Sequence, residues 1–201
     1  KEAIDDYRAF ARRCPRDARV PEAELRAARL LDKTRKWREA AEAYADFAQK
    51  HPTHSETPSA ILRVAQIYDD SGLRDYEKCA AFFRRYAETW PALPDARGCM
   101  IRAALVARDR LRNQKLAVEL YDLALKMRRD EETAWQRLDA VWQSGNYEQA
   151  PEGFAAFIKE FPQSSRARAA RQRVAGALAQ LKKTDEALAA WEALIADYPA
   201  D

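Results

Sequence analysis

The apolar positions of this chain recur as a ladder, most legible over residues 37–52, WREAAEAYADFAQKHP. Trp37 is followed three residues later by Ala40, then Tyr44 four further on, then Phe47 after three more. Steps of three and four place these side chains on one stripe of an α-helix. Pro52 cannot continue the helix and marks its end.

Five more copies follow the same spacing. They are Ala3, Tyr7, Phe10, Pro15; Tyr76, Cys79, Phe83, Tyr86, Pro91; a degenerate Ala117, Tyr121, Ala124 with Arg129 in the proline slot; Tyr147, Ala150, Phe154, Phe157, Pro162; and Thr184, Ala187, Trp191, Leu194, Pro199. The closing positions lie about 33 to 39 residues apart, the range of helical-hairpin repeats. The aromatic rungs Tyr44, Phe83, Phe154 and Trp191 are expected to be core.

Between the ladders the pattern predicts a second set of helices. The full expectation is helices over 1–14, 22–33, 37–50, 58–70, 76–89, 95–110, 114–128, 131–143, 147–160, 166–181 and 185–197. Pro21 suits a helix start, Gly72 a stop, and Asp95 and Ser164 or Ser165 are candidate caps. Ser144-Gly145-Asn146 reads as a helix-to-helix turn. No stretch alternates with period two long enough to be a strand. The expected fold is all-α: an orphan helix 1–14, then repeats 21–52, 57–91, 94–129, 131–162 and 165–199, with no linker anywhere in 1–201. Each pair leaves an apolar face that only its neighbour can cover, so the pairs must stack.

Composition narrows the picture without redirecting it. The 201 residues are 47% hydrophobic and 33% charged, with only 5 Gly, too few for a fold of tight hairpins. The wealth of Ala, and of Arg over Lys, points to a GC-rich bacterial genome. The formal charge of +3 is too small to imply nucleic acid or membrane attraction. No apolar run approaches the roughly 20 residues of a membrane span. The chain begins partway through a repeat, as an excised or mature fragment would. Cys14, Cys79 and Cys99 form no CxxC pair; Cys79 takes a small-residue slot and is expected to be a buried thiol.

These residues resemble the tetratricopeptide repeat. In that family the first helix of a pair reads aromatic, two spacers, large apolar, small, two spacers, aromatic. Ile61, Val64, Ala65 and Tyr68 fit, and Trp135, Leu138, Asp139 and Trp142 fit in three of four places. The ladder matches the second helix. Glu24, Ala27, Ala28 and Leu31 lack the aromatic start, and Arg129 replaces a proline. The resemblance covers nearly the whole chain and implies a right-handed α-solenoid. Repeats that close on an aromatic or His and then Pro are similar to the bacterial cell-envelope branch, which includes outer-membrane assembly lipoproteins and periplasmic division coordinators. That likeness favours periplasm or envelope over cytoplasm, although the compartment stays open.

In such arrays the first helices line a concave groove. By resemblance the inward positions are Leu25, Arg29, Asp32 and Lys33; Leu62, Gln66 and Asp69; Arg102, Val106, Asp109 and Arg110; Gln136, Ala140 and Gln143; and Gln172 and Gly176. The groove is mixed in character. The Asn residues that chaperone-tail-binding relatives use to clamp a terminal carboxylate are absent, which argues against that function. Two arginine clusters, Arg102, Arg108, Arg110, Arg112 and Arg166, Arg168, Arg171, Arg173, could hold an acidic protein or a phosphate backbone. Acidic residues are spread among the neighbouring helices and no exposed aromatic platform is interleaved, so a solvated face is the leading expectation and nucleic acid the weakest.

His51 and His54 have a spacing that could hold a metal, but their loop supplies too few ligands. No nucleophile elbow, phosphate loop or isolated carboxylate pair is present, and Asp69-Asp70 and Glu131-Glu132 sit at helix ends where the dipole accounts for them. No cofactor, metal or catalytic residue is expected. The reading is a non-enzymatic scaffold that binds a peptide or helix segment of another protein within a bacterial assembly. The alternatives are end-to-end self-association, and a recruiting domain of an enzyme whose chemistry lies elsewhere.

Overall fold

The computed structural model describes residues 2–70 and 73–198. Gly72, the expected helix stop, and Pro199, the last ladder proline, lie outside the described residues. Among these residues the chain forms eleven α-helices and no strand: α1 (Glu2–Arg13), α2 (Val20–Lys33), α3 (Trp37–Lys50), α4 (Thr57–Asp70), α5 (Tyr76–Thr89), α6 (Ala96–Asp109), α7 (Gln114–Met127), α8 (Glu131–Gln143), α9 (Ala150–Glu160), α10 (Ala167–Gln180) and α11 (Thr184–Asp197).

The helices divide into two compact units, Lys1–Val106 and Ala107–Asp201. In the first, α1 packs on α2, α2 on α3, α3 on α4 and α4 on α5. In the second, α7 packs on α8, α8 on α9, α9 on α10 and α10 on α11. Contact therefore follows chain order, as expected when each helix pair hides its apolar face on the next.

The ladder supplies the core. Ala40, Tyr44 and Phe47 of α3 are buried, as are Cys79, Phe83 and Tyr86 of α5. In the second unit Tyr121, Phe154 and Phe157 are buried, and Phe154 meets Trp135 and Trp142 edge-on at 5.8 and 6.4 Å. Trp191 departs from the expectation: it is 39% exposed, with Leu188 at 55% and Ile195 at 67% on the same face of α11. The corresponding residues of α3, Ala41, Tyr44 and Ala48, are buried on a helix that packs against both α2 and α4. Helix α11 packs against α10, so its other flank keeps the stripe open.

Turn chemistry explains how each pair folds back. Arg35, Arg74, Arg112, Gly145 and Lys182 all have positive φ, between 53° and 74°, one in each turn between paired helices. After α2, Arg35 N–H donates to Asp32 O and Lys36 N–H to Leu31 O; after α10, Lys182 and Lys183 repeat this with Ala179 and Leu178. These left-handed caps satisfy the last helix carbonyls. Sequence marks only Gly145, since Arg and Lys rarely take this conformation. Asp75, Asn113 and Asp130 accept from the backbone N–H of Lys78, Leu116 and Thr133, capping α5, α7 and α8.

Helices α9 and α10 begin differently from expectation. Helix α9 starts at Ala150 and not at 147, because Pro151 takes the first turn, where its missing N–H is harmless. Ser164 does not cap α10: its Oγ accepts from Arg166 N–H and donates to Glu131, while Arg166 holds the cap position without a side-chain cap bond.

Candidate partner-binding surfaces

The first helices carry the polar positions assigned to the groove, and the structure links many of them to one another. Asp32 of α2 accepts from Arg63 Nε and Nη2 of α4 at 2.6 and 2.8 Å. Asp69 of α4 accepts from Arg102 Nε of α6 at 2.7 Å. Arg29 reaches Glu56 at 2.7 Å. In the second unit, Asp139 of α8 accepts from Arg173 of α10 at 3.2 Å and from Gln143 at 2.6 Å. Gln143 in turn accepts from Gln114 at 3.2 Å, and Arg108 donates to Gln136 and pairs with Asp109.

Each Asp–Arg link joins consecutive first helices, 31 to 34 residues apart in sequence. One repeat is thereby aligned on the next, with side chains that would otherwise be solvated. Sequence reasoning placed Asp32, Asp69 and Arg102 in the groove and Arg173 in an arginine cluster, but missed Arg63 as the partner of Asp32 and Asp139 as the partner of Arg173; acid-to-Arg pairs at one repeat length were the legible signal. Asp139 explains the poor fit of α8 to the repeat pattern. It stands in a small-residue slot, half-buried, and is retained by Arg173 and Gln143.

Three assigned groove positions are core. Leu25, Val106 and Ala140 are 2%, 3% and 0% exposed and offer no surface to a partner. Arg29, Lys33, Arg102, Asp109, Gln143 and Gln172 are exposed, while Asp32, Leu62, Gln66, Asp69 and Gln136 are partly exposed.

The arginines of the second cluster are engaged by the fold. Arg166 pairs with Glu132 at 2.6 Å and lies over the Trp135 ring; Arg173 lies 4.7 Å over Trp142; Arg168 and Arg171 both lie over Tyr198. Their guanidinium planes cover aromatic faces.

In the second unit three buried polar atoms find no protein hydrogen-bond partner: Gln114 Oε1, Tyr121 Oη and Arg173 Nη1. Burial, together with the nearby Asp109, Asp139 and Glu132 against the counter-pull of Arg108, raises the Tyr121 phenol to about 12, so it stays a hydroxyl.

The histidines are used by the fold. His51 Nε2 lies 2.7 Å from Glu24, and His54 Nδ1 accepts from Glu56 N–H. Among the described residues no group of three potential ligands could hold a metal ion, and no helix is long and apolar enough to cross a membrane.

Two cavities open between consecutive second helices and the first helix between them. One, about 580 Å³, is bounded by α1, α2 and α3, with Arg8 and Arg12 against Glu39, Glu42 and Asp46. The other, about 860 Å³, is bounded by α7, α8 and α9.

The tetratricopeptide-repeat family model matches residues 22–54 and 169–201, the pairs α2–α3 and α10–α11. The solved structure of YrrB, a tetratricopeptide protein with an unusual peptide-binding site, superposes with a TM-score of 0.52 over 95% of this chain and 93% of that one, at 17% identity. The fold is the tetratricopeptide repeat. MamA gives the same TM-score of 0.52, at 12% identity, over 92% of this chain and 98% of that one. The family model covers two of the helix pairs, and the shared fold covers nearly all of the chain. No curated protein matches the sequence.

Proposed function

We propose that this chain is a non-enzymatic scaffold whose first-helix face binds a segment of a partner protein within a bacterial assembly. The observation that carries this reading is the set of links Asp32–Arg63, Asp69–Arg102 and Asp139–Arg173, which fix consecutive first helices one repeat apart beside the exposed positions Arg29, Lys33, Gln143 and Gln172. In the second unit Gln114, Gln143, Asp139 and Arg173 form one connected net. The inter-repeat links support the same reading, because they hold the exposed groove positions in a row at one-repeat intervals. The peptide-binding site named for YrrB is consistent with it.

A photo-reactive side chain placed at Gln143 or Gln172 tests this reading against one at Glu152 of α9. Partner adducts are expected from the first two positions and not from Glu152. Adducts equally strong from Glu152 would remove the groove from the account. A second reading rests on the open stripe Leu188, Trp191 and Ile195. It covers itself by self-association, and light scattering over a concentration series that reports only monomer counts against it.

A further inference from the structure

Four connections lead from a second helix to the next first helix through six residues: 14–19, 51–56, 90–95 and 161–166. All four fold alike. The fourth residue of each donates its N–H to the carbonyl of the first, and its own carbonyl accepts from the residue that opens the next helix. These fourth residues are Asp17, His54, Leu93 and Ser164. They differ in what the side chain offers to the N–H two residues on, just ahead of the helix, where backbone donors have no helical carbonyl to reach. Asp17 Oδ1 accepts from Arg19 N–H at 2.9 Å, Ser164 Oγ from Arg166 N–H at 3.0 Å, and His54 Nδ1 from Glu56 N–H at 3.2 Å. Leu93 has no acceptor to offer.

We propose that His54 is a proton-operated latch at the start of α4: its neutral ring closes the turn 51–56 onto Glu56, and its protonated ring opens it. An imidazole nitrogen accepts a hydrogen bond only through a bare lone pair, whereas a hydroxyl oxygen keeps its lone pairs. A proton on Nδ1 sets two N–H groups against each other, so this bond belongs to the neutral ring and is lost as the pH falls. The charged groups of the junction supply no substitute. Glu56 is held by Arg29 of α2 at 2.7 Å, and Glu24 of α2 by Lys50 and His51 at the end of α3, at 2.8 and 2.7 Å. The first turn of α4 carries no charged residue. Phe47 of α3 stands edge-on to the His54 ring at 5.3 Å and brings no charge.

His51, the other of the chain's 2 histidines, answers in the opposite sense. Its Nε2 lies 2.7 Å from the Glu24 carboxylate, a contact that a protonated ring strengthens. Histidine is the side chain whose charge ordinarily changes between about pH 5 and 8, so acidification loosens the junction from α4 while tightening it on α2. Glu56 also holds Arg29, an exposed groove position, so the latch bears on the groove. That consequence rests on the groove reading; the latch itself does not.

The test is nitrogen-15 NMR and amide hydrogen exchange on the 201-residue chain, read without any partner. At about pH 8, the upper end of the histidine range, the His54 ring is expected as the tautomer with its proton on Nε2 and Nδ1 bare. Protection of the Glu56 amide, corrected for intrinsic exchange, should fall about tenfold between about pH 8 and pH 5, the size expected for one lost hydrogen bond. His54→Ser, which copies Ser164, should keep this amide protected at both ends of the range. His54→Leu, which copies Leu93, should leave it open at both. His51→Gln should leave the fall in place. A neutral His54 ring with its proton on Nδ1 overturns the proposal, and no variant is needed to detect it. So does an equal fall in the wild type and in His54→Ser, protection retained in His54→Leu, or a fall that vanishes with His51→Gln. A failed groove reading would leave these amide readings as expected, so the two can fail separately.

Discussion

Truncating Phe154 to alanine tests the ladder where it is best enclosed. The ring is fully buried in a cluster with Leu138, Phe157 and Ala170, and Trp135 and Trp142 pack against it. A buried aromatic hides about 200 Å², which at about 25 cal/mol per Å² corresponds to about 5 kcal/mol. Retaining the β-carbon lowers this to about 4 kcal/mol, within the range of about 3–5 for Phe→Ala in cores. The edge-on contacts with the two tryptophans, about 0.5–1.5 kcal/mol each, overlap this figure and set its upper end. A unit spanning Ala107–Asp201 holds about 10 kcal/mol at about 0.1 kcal/mol per residue, so the substitution should remove about 40% of it. Native-state hydrogen exchange is the appropriate assay, because repeat arrays unfold in parts. Amides of α8 and α9 should lose about a thousandfold in protection, since each tenfold corresponds to about 1.4 kcal/mol. Tryptophan fluorescence in urea should shift its midpoint in the same direction. A loss below about 1 kcal/mol would refute the assignment of this rung as core.

The inter-repeat link between α2 and α4 should show in a double-mutant cycle of Asp32→Asn and Arg63→Gln. Hydrogen bonds to charged groups contribute about 1.5–3 kcal/mol, but the Arg63 side chain is 38% exposed, so a coupling of about 1 kcal/mol is expected; zero coupling would make the pair incidental. Burial pushes the Cys79 thiol up to about 12 and Cys99 to about 11, while Cys14 is exposed. A thiol reagent at pH 8 should therefore modify one cysteine in the native chain and three in denaturant, and two fast native thiols would contradict the packing. Burial pushes Glu24 up, but hydrogen bonds from Lys50 and His51 outweigh it and hold the carboxyl below its usual value. A depressed folded value means that Glu24 stabilises fully above the ordinary carboxylate range and loses this as pH falls through the folded value. Urea midpoints measured from pH 6 down to pH 3 should fall, and Glu24→Gln should flatten that fall; an unchanged slope would remove Glu24 from the acid response.

The spacing of Ala40, Tyr44 and Phe47, and of Ala150, Phe154 and Phe157, was enough to fix an all-α repeat chain and most of its core. A side chain at steps of three and four can lie only on one helical stripe, and no other regular structure satisfies that pattern over six stations. What spacing leaves undecided is how wide the buried arc is. A first helix is covered on one side by its own partner and on the other by a neighbouring pair, so Leu25, Val106 and Ala140, one row off the stripe, went into the core and not the groove. Whether Trp191 was covered depended on what lies over α11, which no local pattern encodes. Only the tertiary structure could show that Asp32 meets Arg63 and Asp139 meets Arg173, because repeat-length separation becomes contact only once the helices stack. The cavity beside α7 also needed three dimensions. The sequence displayed Ala124 and Arg128-Arg129 as lapses in a motif, but a space arises from rings that are missing, and its shape is set by the helices that remain around it.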